Sequence, residues 1–95
     1  MELLLLTDHA VTEELASLPG WTQADRSITA TVTLADFSAA MLYVGAVAYL
    51  AEAANHHPDI LIQWNRVTLT LSTHSAGGLT SADFALARQI GQLTL

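Results

Sequence analysis

Ninety-five residues with no cysteine, no lysine and three arginines carry a formal net charge of −6. Those counts exclude disulfides, zinc–thiolate centres and thiol catalysis. They also leave no basic cluster to meet a phosphate backbone, so direct nucleic-acid binding is not expected.

The length sets one domain, residues 1–95. A chain of this size buries only roughly 60–65% of its unfolded surface, and a 52% hydrophobic content is high for such a small core. Either an Ala- and Leu-rich interior or an apolar face covered by another subunit accounts for it.

The run Met1-Glu2-Leu3-Leu4-Leu5-Leu6 is apolar, but it lacks a positive flank and is followed at once by Asp8. That is a poor signal peptide, and a cytoplasmic protein is expected. Leu3 to Leu6 reads as an extended arm or as the approach to a first helix. Thr7 or Asp8 can cap that helix, with Val11, Leu15 and Leu18 at helical spacing and Pro19-Gly20 stopping it. Trp21 to Ala24 reads as a weak strand and Asp25-Arg26-Ser27 as a turn. Ile28 to Leu34 then alternates apolar residues with Thr29, Thr31 and Thr33, the pattern of a half-buried strand.

Asp36 is a good N-cap, and Phe37 to Asn55 reads as one long helix without a charge between Asp36 and Glu52. A surface helix would show one polar face. The uncharged part is shorter than the ~20 residues of a membrane span, so a helix buried on two sides is expected, one on the sheet and the other against another subunit. Pro58 forbids its continuation. Ile60 to Trp64 reads as a short strand, Asn65-Arg66 as a turn or bulge, and Val67 to His74 as the clearest strand. Ala76-Gly77-Gly78 forms a loop. Thr80-Ser81-Ala82-Asp83 has the capping-box pattern and opens a last helix to about Gln92, with Phe84, Ala87 and Ile90 on its inner face. The order α-β-β-α-β-β-α predicts an α+β domain, a four-stranded antiparallel sheet with three helices packed on one face.

Three of the four histidines fall between His56 and His74, and imidazole is the side chain whose ordinary titration lies nearest neutrality. His56-His57 follow the end of the long helix, where the electronegative last carbonyls favour a protonated ring. Glu52, one turn back, can orient an imidazole. A hairpin of the last two strands brings the Pro58 end beside the His74 end, and with it all three histidines towards one pocket. Plainer readings stand beside this one. The imidazoles can close orphan helix carbonyls, His74 can be a surface residue, Asp83 can serve the Thr80 cap alone, and Trp64 can be core. A histidine triplet can also hold zinc, but no HExxH register is present and no metal is expected.

The set Glu52, His56-His57-Pro58, Trp64, His74 and Asp83 resembles the signature of the pterin-4a-carbinolamine dehydratases. Leu18-Pro19-Gly20-Trp21, Asp36-Phe37-Ser38, Leu71-Ser72-Thr73-His74 and Gly78-Leu79-Thr80 extend the resemblance from about Leu6 to Gln92. It implies the same element order, a homodimer or homotetramer built through sheet edges and helix faces, and no cofactor. It implies loss of water from a 4a-hydroxytetrahydropterin to give a quinonoid dihydropterin. His56 and His74 would be the acid/base pair and His57 would chiefly hold the pterin. Glu52 and Asp83 would set imidazole charge and orientation, and Pro58, Trp64, Thr73 and Ser75 would shape the pocket. Ala53-Ala54 and the aliphatic stretch Asp59 to Gln63 depart from the family's usual residues. Some relatives act instead as transcriptional coactivators or assembly factors, so a protein-interaction module is the competing function. Retention of the histidines favours the enzyme.

Overall fold

In the computed structural model, which describes residues 3–94, the elements run α1 (Asp8–Ala16), β1 (Thr22–Ala24), β2 (Ser27–Thr33), α2 (Phe37–Ala54), β3 (Asp59–Gln63), β4 (Arg66–Leu71), a short 3₁₀ turn (His74–Ala76) and α3 (Ser81–Gly91). Met1 and Glu2 of the apolar N-terminal run, and Leu95, lie outside the described residues. The α-β-β-α-β-β-α order is as expected.

The two hairpins, β1–β2 and β3–β4, join through an antiparallel β2–β4 pair, giving the sheet order β1-β2-β4-β3. Ile28 faces Leu71, Ala30 faces Leu69 and Val32 faces Val67 across that central pair. Period-2 alternation therefore puts one apolar row inside. Ile28, Val67, Leu69 and Leu71 are fully buried, in one cluster with Val11 of α1, Tyr43 and Val47 of α2, and Phe84, Leu86 and Ala87 of α3. All three helices thus cover the same face. The opposite face carries Thr29, Thr31, Thr68 and Thr70. The Thr31 and Thr68 hydroxyls meet at 3.0 Å, and the Thr29 hydroxyl donates to the Leu69 carbonyl.

Each helix begins on a side-chain cap. Thr7 accepts from the Ala10 N–H at 3.1 Å, Asp36 from the Ala39 N–H at 2.8 Å, and Thr80 with Asp83 forms the capping box. Leu3 to Leu6 lies outside any helix or strand and is pinned where the Leu6 N–H donates to the Leu79 carbonyl at 2.9 Å.

Within this chain the long helix makes one of its two expected contacts: Ala40, Tyr43, Val47 and Ala51 face the core, while Met41, Leu42 and Tyr49, on the side expected to meet another subunit, are exposed. By length and composition α2 could cross a membrane, but its buried stripe is part of the core cluster. The last strand stops at Leu71 rather than His74. Thr73 bridges back to Gly78, and the chain from His74 turns into the 3₁₀ segment, closed by Gly77 at φ +81°, a conformation glycine adopts without a Cβ penalty.

Candidate active site

The end of α2 decides where the first two histidines go. Asn55 caps it in the left-handed conformation (φ 50°, ψ 43°), and the His56 N–H reaches back to the Ala51 carbonyl at 3.0 Å. Backbone groups therefore close the helix carbonyls, and both imidazoles are left for carboxylates. The His56 ring, nearly buried, places Nε2 2.6 Å from Asp83 Oδ1. The His57 ring, largely exposed, bonds the Glu52 carboxylate. The left-handed turn at Asn55 thus passes Glu52 to His57 rather than to His56, and the exposed pair adds little stability.

Asp83 is wholly buried at the first turn of α3. Its Oδ2 accepts from the Thr73 hydroxyl at 2.8 Å and from the Thr80 N–H at 2.9 Å, while Oδ1 faces His56. Asp83 therefore caps α3 with one oxygen and meets His56 with the other, a carboxylate having two oxygens to share. Burial of such a group is tolerable only with its donors in place.

Asp59 pairs with Thr70, so the Pro58 end of β3 lies beside the Leu71 end of β4. Thr73 bonds the carboxylate that bonds His56, and His74 is the next residue. A chain of hydrogen bonds thus joins the His56 ring to the His74 segment. His74 is exposed and walls a cavity of about 280 Å³ with Arg26, Asp59, Thr70, Ser72 and Gly77. Neither His56 nor His57 walls that cavity within this chain. A larger cleft, about 410 Å³, lies across the Asp25-Arg26 turn against Leu5, Leu6 and Leu79 and holds no histidine. Among the described residues no three His, Asp or Glu side chains are grouped as a cation would need.

Two expected pocket residues are placed differently. Trp64 sits in the β3–β4 turn at φ 55°, exposed, at the far end of the hairpin from Pro58. Five strand residues at ~3.3 Å each separate the two ends, so Trp64 shapes no pocket at the histidine end of its own chain. Thr73 is buried behind His56 rather than open to a ligand. Ser75 is exposed in the 3₁₀ turn after His74, and Pro58 is half-buried after the histidine pair. Arg26, from the β1–β2 turn, shares the His74 cavity. It escaped sequence reading because only the sheet brings the turn there.

The family model described as pterin 4 alpha carbinolamine dehydratase matches residues 4–93. This chain belongs to the pterin-4-alpha-carbinolamine dehydratase family. A Roseiflexus castenholzii protein provisionally named as such a dehydratase is 53% identical over 89 residues, covering 94% of this chain and 96% of that one. A Nocardia farcinica protein of the same provisional name is also 53% identical, covering 94% of each. Among solved structures, a transcriptional coactivator/pterin dehydratase from Brucella melitensis superposes with a TM-score of 0.87 at 38% identity, over 90% of this chain and 94% of that one. A pterin dehydratase-like protein described as a RuBisCO assembly factor in the alpha-carboxysome shares the fold at a TM-score of 0.63 and 22% identity, over 75% of this chain and 84% of that one.

Proposed function

We propose that this protein removes water from a 4a-hydroxytetrahydropterin to give a quinonoid dihydropterin, and so serves pterin recycling. The observation that carries the reading is the buried Asp83–His56 contact, tied through Thr73 to the segment bearing His74; membership of the family supports it. The reaction needs two proton transfers. One proton goes to the departing hydroxyl, so that the C4a–O bond breaks with its electron pair on oxygen and water leaves. A ring nitrogen supplies electrons for the new C=N bond and gives up its N–H proton. Histidines suit both transfers near neutral pH.

His56 and His74 act as the acid/base pair. Asp83 orients His56: a carboxylate oxygen at Nε2 accepts that N–H and leaves Nδ1 to exchange a proton. His57, bonded to Glu52 and exposed, contributes chiefly to holding the pterin, and Pro58 and Ser75 flank the substrate. The chemistry requires no cofactor. The protein works in the cytoplasm as a dimer or tetramer. A purified protein that accelerates dehydration of a synthetic 4a-hydroxytetrahydropterin over buffer supports the assignment; a rate equal to buffer refutes it.

A second role, binding another protein, is favoured by one observation: the exposed Leu42 and Tyr49 on α2. A pull-down from native extract that recovers a stoichiometric partner, lost on Tyr49→Ser, supports it; recovery of none counts against it.

A further inference from the structure

Behind the proposed acid/base group lies a row of hydroxyls that the dehydration chemistry does not itself require. Thr73 is 4% exposed and Thr80 0%. Their hydroxyl oxygens are 2.7 Å apart, and Thr73 Oγ1 is 2.8 Å from Asp83 Oδ2. Donor counting fixes the direction of the row. A carboxylate only accepts, so Thr73 spends its single O–H on Asp83. Thr80 must then donate its own O–H to Thr73. Thr80 Oγ1 meanwhile accepts from the Ala82 N–H at 3.3 Å, as an N-cap should, and the Thr80 N–H donates to the same Asp83 oxygen at 2.9 Å. The polarity runs one way: Thr80 O–H to Thr73 O–H to Asp83 Oδ2, with Oδ1 left to accept from His56 Nε2–H.

We infer that Thr73 and Thr80 are positioning residues that act through Asp83 on His56, holding its neutral imidazole as the Nε2–H tautomer with Nδ1 free to exchange a proton. Two donors on Oδ2 lock the plane of the carboxyl group and keep both oxygens as acceptors. The other tautomer would set a ring lone pair against Oδ1 and leave a buried contact without a proton. The helix cap is thereby built into the proton-transfer machinery, because the same Thr80 that starts α3 also sets the direction of the row. The inference rests on His56 as a proton-transfer group.

The test pairs steady-state kinetics with the ¹⁵N spectrum of His56, which reports its tautomer independently of activity. Thr73→Val keeps the volume and removes the donor. We expect kcat to fall about 10-fold, the size of one lost hydrogen bond to a charged group, with KM within about twofold of wild type. The His56 ring should pass from one tautomer to a mixture, and Thr73→Ser should restore both readouts. Thr73→Val with wild-type kcat and an unchanged single tautomer would overturn the inference. So would a Thr73→Ser variant as impaired as Thr73→Val, which would mark packing rather than the hydroxyl. If Thr73→Val does not fold, Thr80→Val against Thr80→Ser carries the test, with a smaller loss of about threefold expected for the more distant hydroxyl, and no difference between them overturning it. A wild type without dehydratase activity would remove the functional reading and leave the tautomer comparison to decide this one.

Discussion

At the scale of the residue, Asp83 serves two masters with two oxygens, the cap of α3 on one and His56 on the other. An amide can keep the cap on its oxygen only by turning a donor towards His56, which forces that ring into the other tautomer. Asp83→Asn should therefore destabilise the fold by about 1 kcal/mol, as hydrogen bonds to a charged group become neutral ones, as measured by urea unfolding. In the dehydration assay kcat should fall by roughly 10²-fold or more, since a misoriented imidazole loses its acid–base contribution. Tyr43 offers a second residue-scale prediction. Its phenol is buried against the core, and burial raises its pKa above the ordinary 10.0. The folded value lies above the unfolded one, so the stabilising contribution is complete below pH 10.0 and is lost as pH rises through the folded value. Tyr43→Phe should lose less stability than wild type when unfolding is followed from pH 9 to 11. Parallel losses in the two proteins would contradict this.

At the scale of the element, the turn after α2 is the critical joint. Asn55 holds a left-handed conformation that a Cβ-bearing residue without a short polar side chain adopts at a cost. Asn55→Ala should cost about 1 kcal/mol and Asn55→Gly only a few tenths, read as urea midpoints. Only the alanine variant should also weaken turnover, by misdirecting His56. The elements themselves were legible, because each is announced locally: Thr7, Asp36 and Thr80 cap helices, and β2 and β4 alternate cleanly. What escaped was non-local. Nothing in the spacing says that Glu52 meets His57 while His56 meets Asp83, because the left-handed Asn55 and a 27-residue separation decide it. Leu86 was missed from the inner face of α3 because the helix is sunk deeply enough to bury a wider stripe than the Phe84-Ala87-Ile90 ridge. Resemblance places Trp64 at the pocket, but it lies in the β3–β4 turn, at the opposite end of the hairpin from Pro58.

At the scale of the whole molecule, the sheet has a threonine-covered open face and a free edge at β3, and α2 leaves Met41, Leu42 and Tyr49 exposed. High hydrophobic content for a small domain is therefore explained only in part by the core. An exposed apolar helix side of this kind marks a contact surface, and we expect it to join copies of this chain. Wild type should sediment as a dimer or tetramer, and Leu42→Glu should shift it towards smaller species while its far-ultraviolet circular dichroism stays unchanged. A monomeric wild type would contradict this, and would return attention to a different protein as the occupant of α2.

The most direct test is the rate of 4a-hydroxytetrahydropterin dehydration by wild type beside His56→Ala and His74→Ala, all three verified as folded. Wild type should exceed buffer, and each variant should fall by the roughly 10²–10⁴-fold that a lost proton-transfer group costs. Variants as fast as wild type, or a wild type no faster than buffer, would mean that the histidines do not carry this chemistry.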